Sequence, residues 1–178
     1  MCRRRSSAGF TLVELMITIA IAAIGMTLAY PSFTSVLRSN RVATATNSLI
    51  ASFNLARTEA IRSNSGAGVC PSGDGSACSG NDWNAGVLVF GDNDSTGVWS
   101  TGDTAIRYFE AKPALSLAAA PTGGTAAVPA VAFDRRGRVA SAIDVVLRPT
   151  DCPDNAELQR RVHVSRSGQT RMSKEACQ

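Results

Sequence analysis

From Phe10 to Tyr30 the chain is apolar with one interruption, the acid Glu14; after Tyr30 short apolar runs alternate with Gly, Ser, Asn and Thr. Residues 10–30 as a helix reach about 31 Å, the thickness of a bilayer's hydrocarbon core. The pattern therefore predicts one membrane-spanning helix over 10–30 and one polar domain over 31–178. Beyond Pro31 the helical period continues. Val42, Thr46, Leu49, Ile50, Phe53, Ala56, Ala60 and Ile61 recur mainly at spacings of three and four, giving one stripe. Leu55 lies off it, and Arg41, Asn47, Asn54 and Arg62 occupy other faces. Such a stripe is expected to pack on a sheet, and Ser63-Asn64-Ser65-Gly66 to end the helix.

The remaining pattern predicts strands. Residues 64–86 read as a Gly/Ser/Asn-rich loop, Gly86 to Phe90 as a buried strand, and Ala105 to Ala111 as its hairpin partner. Residues 114–129, rich in Ala, Pro and Gly, read as irregular. The segments "AVAFD", "RVASA", "IDVVLRP" and "RRVHVS" are further strand candidates, with turns centred on Gly137 and Gly168.

Composition alters this picture in two places. The formal charge is +4, but Arg3, Arg4 and Arg5 supply three of the 18 basic residues; without them 15 face 14 acids, about +1. A uniformly basic nucleic-acid binder is not indicated, so such a role needs a local patch. Of the five cysteines, Cys2 sits among the leading residues, leaving Cys70, Cys78, Cys152 and Cys177. An even number beyond a membrane segment suggests disulfides in an oxidising compartment, and four cysteines allow three pairings. Cys70–Cys78 and Cys152–Cys177 each close a local loop and are the favoured pair. Zinc is disfavoured, with no CxxC spacing and a single histidine, His163.

An ordinary secretory signal has its cleavage site after the apolar run. Here Ala8-Gly9 follows the arginines before that run begins. Cleavage at Gly9 would remove the charges, keep the helix and leave an ammonium on Phe10, one turn from Glu14. A carboxylate in lipid is costly and usually has a partner; the new amine, its own or a neighbour's, would supply one. An uncleaved membrane anchor is the plainer alternative. "GFTLVEL" behind a short arginine-rich leader resembles the class III signal of type IV prepilins. That resemblance implies a leader over 1–9, cleavage between Gly9 and Phe10 by a prepilin peptidase, N-methylation of Phe10, and a role for Glu14 in filament assembly. Pro31 falls where pilin helices commonly bend.

Together, "LARTEAIRSN", "WNAGVLVFGDND", "VAFDRRGRV" and "HVSRSGQTR" resemble the GspH/FimT family of minor pilins and pseudopilins, in the family's order over nearly the whole mature chain. The resemblance implies an α+β pilin fold, a long N-terminal helix packed on antiparallel β-sheet. It also implies a single-pass inner-membrane protein with a periplasmic domain, assembled with other minor and major pilins near a filament tip. A FimT-like minor pilin of a type IV pilus is the leading expectation. A GspH-like pseudopilin of a type II secretion system is the alternative. Some FimT-like members bind double-stranded DNA for natural transformation through a Gly-Arg-x-Arg motif. Gly168, Gln169, Thr170 and Arg171 occupy those places here, with Gln169 where the first arginine would be and Arg166 able to substitute for it.

Catalysis is not expected. One histidine leaves little scope for a nucleophile–base pair, "GDGSACSG" lacks the lysine of a phosphate loop, and no cofactor is implied. Asp92, Asp94, Thr96, Gly97 and Asp103 fall at positions 1, 3, 5, 6 and 12 of a calcium-loop spacing. Thr is a weak ligand, the last position is Asp rather than Glu, and strands flank the segment. A solvated hairpin loop is favoured over a metal site. The C-terminal segment carries Arg160, Arg161, Arg166, Arg171 and Lys174 with no acid between them. Alternation sends Arg161, His163 and Ser165 to one face and Arg160, Val162 and Val164 to the other. A basic tip around Gly168 suits phosphate contacts, or it is a solvated edge that discourages strand aggregation.

Overall fold

The computed structural model describes residues 9–177; within it, the side chains of residues 28, 29, 31 and 32 fall outside the description. Cys2, Arg3, Arg4, Arg5 and the expected leader, Gly9 excepted, therefore lie outside the described residues. The chain divides into two compact units between Arg38 and Ser39. One helix, α1 (Leu12–Ser63), contributes to both, its assignment running through Pro31.

In the second unit α1 meets two antiparallel four-stranded sheets. The strands are β1 (Gly66–Pro71), β2 (Gly86–Asp92), β3 (Thr104–Glu110), β4 (Leu115–Pro121), β5 (Val131–Phe133), β6 (Ile143–Pro149), β7 (Gln159–Val164) and β8 (Thr170–Glu175). Their orders are β3-β2-β1-β5 and β4-β6-β7-β8. Leu49, Phe53, Ala56 and Ala60 of α1 share one core with Val69, Val89, Val131 and Phe133 of the first sheet and Val145, Val162 and Val164 of the second. The small Ala56 and Ala60, fully buried, let the helix backbone come close. The α+β architecture expected from the sequence, a long N-terminal helix packed on antiparallel sheet, is what the chain adopts.

The helical stripe differs from expectation at its flanks. Ala45 and Ser52 are buried as well; the Ser52 hydroxyl satisfies itself by donating to the Ser48 carbonyl at 2.9 Å. Ile61 is exposed, because beyond Ala60 it points to the turn around Gly137, where a Cβ would stand 2.8 Å from its Cδ1.

Three sequence readings are corrected, and one strand is added. The expected loop over 64–86 contains β1, buried along its whole length. Its glycines disguise it: a Cβ on Gly68 would press 2.5 Å from the Phe90 ring on β2. The segment over 114–129 contains β4, paired with β6 from Leu115↔Pro149 to Pro121↔Ile143. As an edge strand it tolerates proline, whose missing N–H breaks no ladder. "RVASA" is not a strand; Val139 N–H donates to the Arg166 carbonyl at 3.2 Å instead of joining a sheet. The polar tail "TRMSKE" is β8, paired with β7 from Gln159↔Glu175 to Val164↔Thr170.

Both favoured disulfides are present. Cys70–Cys78 spans a Cα separation of 5.7 Å and Cys152–Cys177 one of 6.0 Å. The second, with the 2.9 Å bond from Cys177 N–H to the Ala156 carbonyl, ties down the chain end behind β8.

Candidate functional site

The first candidate surface is the start of α1. Thr11 caps it, its hydroxyl accepting from Glu14 N–H at 3.2 Å. Glu14 sits in the first turn, where a carboxylate complements the helix's positive end. Phe10, Leu12, Val13, Leu15, Met16, Ile17, Ile19, Ile21, Ile24 and Met26 are all more than half exposed, on every side of the helix. The domain's own core does not use them. Contiguous apolar surface of this extent marks a membrane or an interface. Among the described residues no helix is long and apolar enough to cross a membrane. The whole run from Phe10 to Tyr30 nevertheless holds Glu14 as its one charge, including the positions whose side chains are not described. A membrane role thus rests on the sequence.

The second surface is the basic C-terminal segment, and the fold sorts its cations. Arg160 is 5% exposed and donates to the carbonyls of Glu157 and Gln159, both at 2.9 Å. That corrects its place among surface cations: it closes the core's rim. Arg161 faces outward, as alternation requires, but Glu175 holds it in a fork at 2.6 and 2.9 Å. Asp144 also lies 3.6 Å from Arg161 and takes His163 Nδ1 at 2.7 Å. The hydrogen-bonded Arg161 guanidinium holds the Glu175 carboxyl below its ordinary range, against the opposing effect of burial. On this outer sheet face Arg161 is thus paired with two acids, Glu175 and Asp144. Arg166, Gln169, Arg171 and Lys174 remain exposed, and among the described residues none of the three cations makes an ion pair. The sequence pattern missed Glu175 as a partner because it contained no signal for β8.

Two turns meet at one end of the second unit. In the first, the Asp134 carboxylate accepts from the N–H groups of Arg136 and Arg138 at 2.8 and 2.9 Å. Burial pushes this carboxyl up, but those amides and Arg138 outweigh it and leave it below its ordinary range. In the second, Gly168 N–H donates to the Ser165 carbonyl at 2.8 Å and the Ser165 hydroxyl accepts from Gln169 N–H at 3.2 Å. Gly137 and Gly168 hold φ of 69° and 75°, which favours glycine. The turns touch: a Cβ on Gly168 would collide with the Gly137 carbonyl oxygen, and Arg57 Nε of α1 would lie 3.1 Å from a Cβ on either glycine. Arg57 Nε is buried and makes no hydrogen bond. Beside the turns opens a cleft of about 840 Å³, whose lining includes Arg135, Arg138 and Arg166 together with Asp92, Asp134 and Thr96.

The third cluster is the loop from Asp92 to Asp103. One carboxylate oxygen from each of Asp92, Asp94 and Asp103 lies within 4.8 Å of the others, a donor set suited to a divalent cation. The loop itself uses these oxygens. Asp92 accepts from Thr96 and Gly97 N–H at 3.1 and 2.7 Å, and Asp103 from Asn93 and Ser100 N–H at 2.9 and 2.6 Å. Burial raises the Asp92 carboxyl, while the Thr96 hydroxyl leads in lowering that of Asp94.

Comparison with known proteins adds to this geometry. Residues 45–168 match the family described as type II transport protein GspH, and residues 4–30 match the prokaryotic N-terminal methylation motif. No curated protein is similar at a significant level. Among solved structures, the chain is similar to the type IV minor pilin FimU of Pseudomonas aeruginosa, at 18% identity and TM-score 0.55, covering 78% of this chain and 94% of that one. It is also similar to the minor pseudopilin EpsH from the type 2 secretion system of Vibrio cholerae, at 16% identity and TM-score 0.51, covering 75% and 96%.

Proposed function

Because the chain belongs to the family of type II transport protein GspH, we propose that it is a minor pilin or minor pseudopilin, a filament subunit rather than an enzyme. Within that class we assign it to a type IV pilus as a FimT-like minor pilin, placed near the filament tip and supporting assembly. The observation that carries the reading is a methylation motif over 4–30 on a helix whose apolar side chains from Leu12 to Met26 are exposed all round. Prepilin peptidase cuts between Gly9 and Phe10 and the new Phe10 amine is methylated. Before assembly the segment 10–30 crosses the inner membrane once, with residues 31–178 in the periplasm. In the filament the apolar helices of neighbouring pilins surround it, and Glu14 meets a neighbour's Phe10 amine. In so dry an environment an unpaired carboxylate is strongly disfavoured, so the pairing fixes where each subunit stops.

Glu14→Ala tests this. The variant is expected to reach the membrane in normal amount and to be missing from sheared filaments; incorporation at the parental level contradicts the assembly role. The alternative, a GspH-like pseudopilin of a type II secretion system, is supported by the likeness to EpsH. Deleting the pilus assembly platform should trap the protein in the membrane, whereas a pseudopilin would be trapped by loss of the exporter.

A second reading is capture of double-stranded DNA. It is supported by Arg166, Arg171 and Lys174, which stand exposed and without an ion pair among the described residues, at the β7–β8 turn and along the edge strand β8. Detergent-solubilised full chain should retard a labelled duplex in a salt-dependent manner. Arg166→Gln with Arg171→Gln should weaken it; unchanged retardation removes these residues from the contact.

A further inference from the structure

Resting on the DNA-capture reading, we infer that the duplex-binding face has a second arm. This arm is the "DRRGR" turn of residues 134–138, whose arginines grip the phosphate backbone beside Arg166. Arg135 and Arg136 lie far from the C-terminal segment in sequence, and only the fold brings them to it. The link is direct: Val139 N–H donates to the Arg166 carbonyl at 3.2 Å, and Gly168 rests on the Gly137 carbonyl.

Charge accounting favours this end of the molecule over the outer face of the second sheet. There Arg161 is neutralised by Glu175 and Asp144. At the turn pair, the side chains of Arg57, Arg135, Arg136 and Arg166 make no hydrogen bond or ion pair among the described residues. Only Arg138 has an acid, Asp134, at 3.6 Å, and that carboxylate is already occupied by two turn amides. Among the described residues, the two buried polar side-chain atoms without a partner, Arg57 Nε and Thr170 Oγ1, also flank this turn. Guanidinium groups without an acid partner suit bidentate phosphate contact.

The same residues select a duplex. Proteins that hold single strands stack bases on exposed aromatic rings. The one aromatic side chain lining the cleft, Phe133, is 1% exposed. Nothing here reads base edges, so binding is independent of sequence and set by phosphate contacts. Arg57, wedged beneath both glycines, is a positioning residue that keeps the two arms together.

The test is fluorescence anisotropy of a labelled duplex with detergent-solubilised full chain across a salt series. Arg135→Gln with Arg136→Gln should lower affinity at least about tenfold at 0.15 M salt and reduce the log–log salt slope by about 2. Arg135→Lys with Arg136→Lys, which retains charge at the same turn, should recover most of the slope; failure to recover it would point to a damaged turn and overturn the assignment. If the Gln pair binds like the parent while Arg166→Gln with Arg171→Gln binds poorly, the second arm is wrong and DNA capture stands. If the parent does not bind duplex at all, DNA capture itself is wrong and this inference falls with it. Competition by polyglutamate as effective as by unlabelled duplex at matched charge would assign the face to an acidic polypeptide and also overturn it.

Discussion

The two stretches of α1 obey opposite rules. From Leu12 to Met26 large apolar side chains, Leu, Ile, Met and Val, lie more than half exposed; from Val42 to Ala60 the buried positions include Ala45, Thr46, Ser52, Ala56 and Ala60. The more hydrophobic stretch is the one without a core. Hydrophobicity along one helix therefore does not report on packing within the chain. In the second stretch, small residues admit two sheets against the helix. In the first, large residues present a surface that something outside the chain must cover.

Substitutions can break this contrast. The largest stability effect is expected from Phe53→Ala, where removing a fully buried ring should cost about 3–5 kcal/mol and lower the thermal midpoint of the solubilised protein sharply. A small shift would mean that the second stretch is not the core. Next, Cys152→Ser with Cys177→Ser opens a loop with a sequence separation of 25 and should cost about 3 kcal/mol by denaturant titration. It should loosen β8 first, seen as faster amide exchange from Thr170 to Glu175.

A smaller effect is expected from Glu175. Arg161 lowers its pKa below the ordinary 4.5, so the folded state holds fewer protons there than the unfolded chain. The linked stability is complete above about pH 5 and is lost as pH falls through the lowered folded value. Glu175→Gln should remove about 1 kcal/mol or less at pH 7, because the pair is partly solvated. The variant and parent melting curves should converge as pH falls below that lowered value. Least of all, Leu15→Ala with Ile19→Ala should move the melting midpoint by no more than about 0.5 kcal/mol equivalent. The same pair should nevertheless lower recovery in sheared filaments, which would separate the two roles of α1 cleanly.

How far the sequence could be read depended on what sets each element. The helix period from Val42 to Ala60 was legible because helical burial leaves a spacing of three and four. β2 and β3 were legible as apolar runs around a loop. β1 was not, since Gly66 and Gly68 serve close contacts with Asp92 and Phe90 rather than strand propensity. β4 and β8 were hidden because an edge strand needs neither a buried face on every residue nor freedom from proline. At the candidate sites, Glu14 and its apolar surroundings are local and could be seen directly. The sorting of arginines could not: the pairing of Arg161 with Glu175 depends on register across the second sheet, and the meeting of the 134–138 and 165–169 turns depends on the first sheet's β5 leading its turn to the end of the second.

The central claim is that the exposed first stretch of α1 is built for a filament and that its carboxylate is matched by an amine made through proteolysis. Mass spectrometry of the N-terminal peptide from the native protein tests this most directly. The expected mature chain begins at Phe10 and carries one added methyl group on its amine. A native chain that still begins ahead of Gly9, with Arg3, Arg4 and Arg5 in place, would contradict the account and leave an uncleaved membrane anchor instead.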